Sequence, residues 1–542
     1  MTSARALLKF LPLAAIAWLL AWSGMWPWAD HPVFQTVGIQ HHQPAAWLQM
    51  VCLVVVFAAI IAPQPARATY VRVWWVTANW LAATVWWLTH SMHVYGGLSM
   101  VAAALAVTAL AGALALYMTA ALGYVATRVT PRAAVRSDRH AITSALAIAA
   151  AWTLAEWLRA KWFTGFPWGE LGYAHLTNWG WLAPITGVTG VTAMVVFTAA
   201  WVASAWSGLT KFTAQGWTMR QVMPWLAFAL VIIGLPPAVQ PSPEGWGTPN
   251  GTHTVALVQG NVDQSAKFGS NAARDMAWYT ARVEASDAAL TILPETAFPT
   301  LPETVPADIW RDLIRSHITQ EKATLVGIPV QIGDNIFRNE AWLINTQSRA
   351  ASLADIPQYR YAKHHLVPFG EMSPPGFRWF TSQLDIPLSE FKPGGADQPG
   401  FQWRGETLAV TICYEDVFGD EMAQRMTGVD PTPTAWVNMS NLAWFGDTTA
   451  IPSHLQMARW RALELGRPML RATNTGATAV IDHLGRVVDN LPMQTRGVLV
   501  TTFEGRTGLT PYVQWAGRWG HTPLWVLSVL VLVFLVPRKR PE

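Results

Sequence analysis

Three side chains at the ends of apolar, β-type runs could together carry acyl chemistry: Glu295, Lys363 and Cys413. A cysteine attacks as its thiolate, and a thiol with an ordinary pKa of about 8.5 is only a few per cent ionised at neutral pH. A carboxylate nearby can take the proton, and a cation nearby can hold the oxyanion formed when sulfur adds to a carbonyl. Spacing alone leaves the bland reading open, because a free cysteine is most often a small core residue and a Glu or Lys is most often solvated. A serine nucleophile has less support, since Gly-x-Ser-x-Gly does not occur. His364 and His365 follow Lys363 and could ligate a metal, but no further ligand spacing joins them, so no metal is expected. Cys52 and Cys413 are the only cysteines, which excludes a disulfide framework and a Cys-rich metal site.

The elements that must position these groups read as an α/β domain. Val255–Gln259 reads as a strand, 271–288 as a helix, and Leu290–Leu293 as the strand that ends at Pro294-Glu295. Residues 307–320 read as a helix, Leu325–Pro329 as a strand, and Thr407–Ile412 as the strand that delivers Cys413-Tyr414-Glu415. A strand at Ala435–Asn441, a helix at His454–Leu465 and a strand at Ala477–Ile481 continue the pattern. The segments 372–380 and 441–449 combine Gly or Pro with aromatic residues beside this chemistry. They read as mobile lipid-gating loops or as plain surface loops.

The rest of the chain is built for lipid. Of its 542 residues 52% are hydrophobic and only 13% charged, about half the ordinary share of charge. The mean hydropathy is +0.23. This composition excludes a disordered chain and argues against a wholly soluble one. The net charge of +4 is too small to suggest a nucleic-acid partner. Apolar runs near 10–28, 46–62, 73–90, 99–124, 141–158, 186–206, 222–237 and 523–537 are long enough to cross a bilayer, which predicts about eight transmembrane helices. Basic residues recur in alternate loops: Arg5 and Lys9, Arg67 and Arg72, Arg128 to Arg139, Lys211 and Arg220, Arg538 to Arg540. By the positive-inside rule both termini are expected in the cytoplasm and the 240–515 insert in the periplasm. The expected layout is a seven-span domain at 1–239, a catalytic domain at 240–515, and a last helix with a basic tail at 516–542. Trp clusters at span ends read as interfacial anchors. Glu156, Arg159 and Lys161 lead into Phe166–Glu170, with Trp168 at its centre. Charge at that depth reads as a lipid-headgroup site or as the anchor of a re-entrant loop.

Longer motifs are more specific. Leu293-Pro294-Glu295, the run Lys363–Glu371 and Ile412–Glu415 resemble the three signatures of the nitrilase (carbon–nitrogen hydrolase) superfamily, in the order Glu, Lys, Cys. Gln259-Gly260-Asn261, Thr164–Trp168, His454–Arg459, Arg461–Pro468 and Gly508–Tyr512 extend the likeness, so that nearly the whole chain resembles the apolipoprotein N-acyltransferase family. The resemblance implies an α/β nitrilase-like αββα sandwich carried on an α-helical membrane domain, multi-pass in the bacterial cytoplasmic (inner) membrane. It implies Cys413 as nucleophile, Glu295 as base and Lys363 as oxyanion partner, with a thioester intermediate. Glu371 and Glu415 would orient Lys363 and the nucleophile, Tyr414 would line the pocket, and Phe268, Arg159, Trp168, Phe380 and Trp444 would meet substrate. The implied donor is a membrane phospholipid, commonly phosphatidylethanolamine, and the acceptor a diacylglyceryl apolipoprotein. No cofactor and a monomer are implied. Phe268 stands where the family often has Trp, and Leu442 where it has Asp. Two other classes remain: a membrane-tethered amidase or hydrolase that uses water, and a phospholipid-binding membrane protein without catalysis. Discharge of an acyl-enzyme by amine rather than water separates them.

Overall fold

A computed structural model describes residues 10–133, 138–209, 245–269, 271–320, 322–348, 356–381 and 391–536. The chain divides into two compact units, one from 1–89, 99–240 and 521–542, the other from 90–98 and 241–520.

The first unit is helical. Its longer helices are Leu11–Gly24, Ala46–Ile61, Ala66–Thr84, Met100–Ala133, Asp138–Lys161, Ala183–Leu209 and Thr522–Leu535. Among the described residues three stretches are long and apolar enough to cross a membrane: Met100–Val129, His140–Thr164 and Leu171–Ser204. A fourth is added if Pro511–Trp519 and Thr522–Leu535 count as one bent span. That is fewer than the eight expected. The first two apolar runs form helices of only 14 and 16 residues. At 1.5 Å per residue these reach about 21–24 Å, short of a hydrocarbon core of about 30 Å. Pro27 accounts for the first shortfall, because a residue before proline is driven out of the helical region and the helix ends at Gly24. The third run overlaps helix Ala66–Thr84, whose first turns carry Arg67 and Arg72 and whose later part carries Asn79. The expected run at 222–237 lies outside the described residues.

The second unit holds two six-stranded sheets. The first contains β1 (Pro249–Gln259), β2 (Leu290–Ile292), β3 (Ala323–Gly333), β4 (Ile336–Ile344), β5 (Tyr359–Ala362) and β12 (Gly497–Arg506), in the order β12-β1-β2-β3-β4-β5. The second contains β6 (Phe401–Trp403), β7 (Glu406–Ile412), β8 (Ala435–Ser440), β9 (Met469–Thr473), β10 (Ala479–Ile481) and β11 (Val487–Asn490), in the order β11-β10-β9-β8-β7-β6. Each sheet has three adjacent parallel strands at its heart, β1-β2-β3 and β7-β8-β9.

The side-chain alternation of the strands creates the layers. Val255, Leu257, Ile292 and Leu325 of the first sheet share one core with Leu408, Val410, Ile412, Val437 and Leu470 of the second. The opposite face of the first sheet, with Val258, Val326 and Ile328, packs on Met276 and Tyr279 of helix Ala272–Ala285 and on Ile309 and Leu313 of helix Ala307–Gln320. The opposite face of the second, with Ala409, Trp436 and Met469, packs on Met422, Ala458, Ala462 and Val513 from three helices, Gly419–Gly428, Ala450–Leu465 and Pro511–Trp519. The result is helices, sheet, sheet, helices. Burial of each apolar face supplies about 25 cal/mol per Å², which is why strands as short as β2 hold their place between two layers.

Candidate active site

Cys413 sits where a buried strand is forced to stop. Every residue of β7 is buried, and the chain turns at Cys413 into a short 3₁₀ segment, Cys413–Val417. Cys413 has φ 54, a left-handed conformation that costs a residue with a Cβ about 1–2 kcal/mol. Two buried carboxylates hold the turn. Glu415 accepts from Ile412 N at 2.6 Å, from His364 N at 2.6 Å, from His365 N at 3.1 Å and from Tyr361 Oη at 2.9 Å. It thereby ties the cysteine turn to the chain just after Lys363. Asp416 accepts from Arg471 Nη1 at 2.6 Å and lies 2.6 Å from His454 Nε2. Arg471 Nη2 lies 3.0 Å from His454 Nδ1. A guanidinium can only donate, so Nδ1 accepts and the proton of a neutral His454 sits on Nε2, facing Asp416.

Glu295 follows β2, as Cys413 follows β7 and Asn441 follows β8, each just past the carboxyl end of a parallel strand. Convergence of such ends is where open α/β sheets build sites. Gly327 of β3 lets the Glu295 loop lie close, for a Cβ there would stand 2.6 Å from Pro294 O and Thr296 N and 2.9 Å from Glu295 Cα. Lys363, directly after β5, is 1% exposed. Its Nζ donates to Glu295 Oε1 at 3.3 Å and to Glu371 Oε1 at 2.9 Å, with Glu371 Oε2 2.8 Å away. Three further groups complete the surroundings of Glu295. Asn339 Nδ2 donates to Oε1 at 2.7 Å, Asn441 N donates to Oε2 at 2.8 Å, and Lys267 Nζ donates to the backbone carbonyl at 3.1 Å.

The electrostatics of the site are uneven in a useful way. Burial pushes the Cys413 thiol up, the Glu295 carboxylate adds to the push, and Lys363 only partly opposes it. Cys413 therefore rests as a protonated thiol, which could attack only with a base to take its proton. Burial alone would lower the Lys363 amine, but Glu295 and Glu371 outweigh it and hold the amine above its ordinary value. Lys363 is thus a fixed cation. Lys267 behaves oppositely: burial brings its amine down to about 8 against the attraction of Glu295 and Cys413.

The other expected residues fall into two groups. In the second unit, Phe268 is 40% exposed. Trp444 stacks edge-on against Tyr95 with centroids 5.4 Å apart, and Tyr95 Oη donates to Ala443 O at 3.4 Å. Tyr95 comes from the 90–98 segment, which the sequence reading passed over. Phe380 packs on Phe369 at 5.9 Å, beside the exposed Phe377 and Trp379. Tyr414 is buried against Phe418 and His365. Leu442 is buried with Ile451 and Ala477, and Cys413 packs against them. In the first unit, Arg159 is buried and pairs with Glu156, while its Nη1 donates to Phe166 O at 2.5 Å and Trp168 O at 2.8 Å. This geometry uses the guanidinium to fasten its own loop.

Sequence reasoning missed Lys267, Asn339, Asn441 and the Asp416–Arg471–His454 cluster. Asn441 and His454 lie inside segments already singled out, and Lys267 directly precedes Phe268, so their types were a usable signal. Asn339 lies in none.

A carboxylate, a fixed cation and a protonated thiol at strand ends of a four-layer α/β unit define a carbon–nitrogen-hydrolase type of site. A family model for carbon–nitrogen hydrolases matches residues 254–512, and one for the N-terminal domain of apolipoprotein N-acyltransferase matches residues 33–201. The apolipoprotein N-acyltransferase of Verminephrobacter eiseniae is 38% identical, covering 93% of this chain and 94% of that one. That of Ralstonia nicotianae is 37% identical, covering 94% and 93%. Among solved structures, an amidase from Nesterenkonia sp. is 19% identical over 50% of this chain and 95% of its own, with a TM-score of 0.35. The chain belongs to the apolipoprotein N-acyltransferase family.

Proposed function

We propose that this chain transfers a fatty acyl group from the sn-1 ester of a membrane glycerophospholipid, commonly phosphatidylethanolamine, to the α-amine of an apolipoprotein's diacylglyceryl cysteine. The observation that carries the reading is the buried Lys363–Glu295 contact at 3.3 Å, within electrostatic reach of the buried Cys413 thiol. Glu295 takes the Cys413 proton as sulfur adds to the ester carbonyl. Lys363 holds the resulting oxyanion. Collapse breaks the ester C–O bond, and Glu295 returns its proton to the departing alkoxide, leaving lysophospholipid and a Cys413 thioester. The acceptor enters as a free amine, having given its first proton to solvent. Its nitrogen adds to the thioester carbonyl, Glu295 moves the N–H proton to the Cys413 sulfur, and the amide leaves. Thioester to amide is downhill, so the cycle needs no nucleotide. Glu371 and Glu415 hold Lys363 and the cysteine turn, and the lipid-facing contacts are assigned to Phe268, Phe380, Trp444 and Tyr414. Eight spans in the cytoplasmic membrane with the 240–515 domain in the periplasm fit the alternation of basic loops, and the reading takes the chain as a monomer.

The test is intact mass after incubation with phosphatidylethanolamine and no acceptor. Cys413 gains one fatty-acyl mass that hydroxylamine removes, Cys413→Ala gains none, and Cys52→Ala behaves as the parent. A diacylglyceryl peptide with a free amine discharges the adduct. Equal discharge by water alone makes the chain a lipid hydrolase and refutes the transferase reading. A reporter fused near Pro241 that is active in the cytoplasm refutes the orientation.

A further inference from the structure

One neutral side chain stands between the two carboxylates of the site. Asn339 pairs with Pro329 across β3–β4, and its carbonyl accepts the Lys363 amide at 2.8 Å, so the backbone fixes its place from both sides. Its Nδ2 donates to Glu295 Oε1 at 2.7 Å and to Glu371 Oε1 at 3.1 Å. The residue is 5% exposed. The amide can face only one way: turned over, its oxygen would meet two carboxylate acceptors. Its Oδ1 is buried and accepts no hydrogen bond among the described residues. A buried amide kept for packing alone would ordinarily satisfy both ends. Here only the donor end is used, and both of its bonds go to the acids of the site.

Glu295 and Glu371 face each other across shared donors, where like charges repel. Lys363 bridges the same two acids, but one cation offsets only one of their two charges. The neutral Asn339 amide adds a second bridge between them without adding charge. The charged and titratable groups around Glu295 are Lys363 after β5, Lys267 on its carbonyl, Cys413 after β7, and Glu371 beyond Lys363 and Asn339. Asn441 N–H occupies the other oxygen.

We propose that Asn339 is a positioning residue for the general base: its amide fixes the Oε1 edge of Glu295 and holds it apart from Glu371. The assignment rests on Glu295 being the base. The experiment measures the rate of Cys413 acylation against pH, by intact mass, using the full chain in mixed micelles with phosphatidylethanolamine and no acceptor. Parent, Asn339→Leu, the isosteric Asn339→Asp and Glu295→Gln are compared, each checked for folding by thermal unfolding. Loss of one hydrogen bond to a charged group moves the acid limb of the profile upward by on the order of one pH unit, about tenfold in rate below the limb. Asn339→Asp shifts it further than Asn339→Leu, because it adds a negative charge. Above the limb the Leu variant recovers most of the parental rate. A folded variant whose limb stays at the parental pH, or whose rate falls by one factor at every pH, overturns the proposal. If Asn339→Leu does not fold, the Asp variant alone decides. Parental acylation by Glu295→Gln removes the base reading itself and the proposal with it, whereas loss at every pH leaves the Asn339 comparison decisive.

Discussion

Replacing Lys267 with methionine should make this protein more stable and less active at once. Lys267 is 4% exposed, and its Nζ donates to the Glu295 carbonyl at 3.1 Å. Burial lowers its amine from the ordinary 10.5 to about 8, with Glu295 and Cys413 only partly restoring it. Below pH 8 the amine is charged in both folded and unfolded chains, and the folded state carries the whole cost of burying that charge. Between about 8 and 10.5 the folded chain sheds the proton while the unfolded chain keeps it, so stability rises with pH across that window. A gap of that size corresponds to about 3 kcal/mol. Lys267→Met should therefore raise the melting temperature in detergent by several degrees at pH 7, and the advantage should shrink as pH approaches 10.

The same substitution removes a cation from the neighbourhood of the nucleophile. An attraction of about 1–3 kcal/mol, ordinary for charges a few ångströms apart in a partly buried site, is on the order of ten- to a hundredfold in the rate of Cys413 acylation. The opposed signs are the diagnostic, since a structural prop loses stability when it is removed. A variant less stable than the parent at pH 7, or an advantage that does not change with pH, refutes the electrostatic account. Undiminished acylation refutes the contact with the chemistry.

Three other substitutions address different links. Lys363→Ala removes the oxyanion partner and should slow the first acyl transfer by on the order of 100- to 1,000-fold in a single-turnover assay, and a smaller loss assigns the oxyanion elsewhere. Gly327→Ala places a methyl 2.6 Å from Pro294 O and Thr296 N, backbone atoms that cannot yield, so it should displace Glu295 and suppress acylation although it lies on the neighbouring strand; parental activity would show that the loop has room. Asp416→Asn leaves Arg471 buried without its counter-charge and should cost about 3–5 kcal/mol by thermal or denaturant unfolding. Burial pushes the Asp416 acid up, but His454 and Arg471 outweigh that and hold it below the usual carboxylate range. Its contribution is full above that range and is lost as pH falls through the lowered value, so the parent should lose stability there and Asp416→Asn should not.

What the sequence could show of this site was set by how each residue is held in place. Glu295, Lys363 and Cys413 were legible because each is carried by a contiguous motif whose residue types follow from local needs: an apolar strand, a stop, and a reactive group at the end. Glu415 was legible for the same reason, as its anchor on Ile412 N is three residues away. Asn339 was not, because what gives it meaning is register. Its backbone meets Lys363 only through the antiparallel pairing of β4 with β5, and its side chain meets Glu295 only because β4 lies two strands from β2 in the sheet. A single chain of letters carries no record of either pairing. Arg159 carried two readings, a headgroup ligand or the anchor of a re-entrant loop, and its guanidinium donates to the Phe166 and Trp168 carbonyls and to Glu156, beside a tight turn with φ 53, 74 and 83 at Phe163, Thr164 and Gly165. Span counting needs more than hydropathy, which measures how apolar a run is, whereas helix length depends on where the helix ends, and the first described helix is 14 residues long. Groups that act alone can thus be read from their types, whereas groups that act by tuning another residue become visible only when the sheets bring the two together. The second kind surrounds Glu295, and so substitutions at Asn339 and Lys267 test the proposed chemistry where the sequence alone could not point.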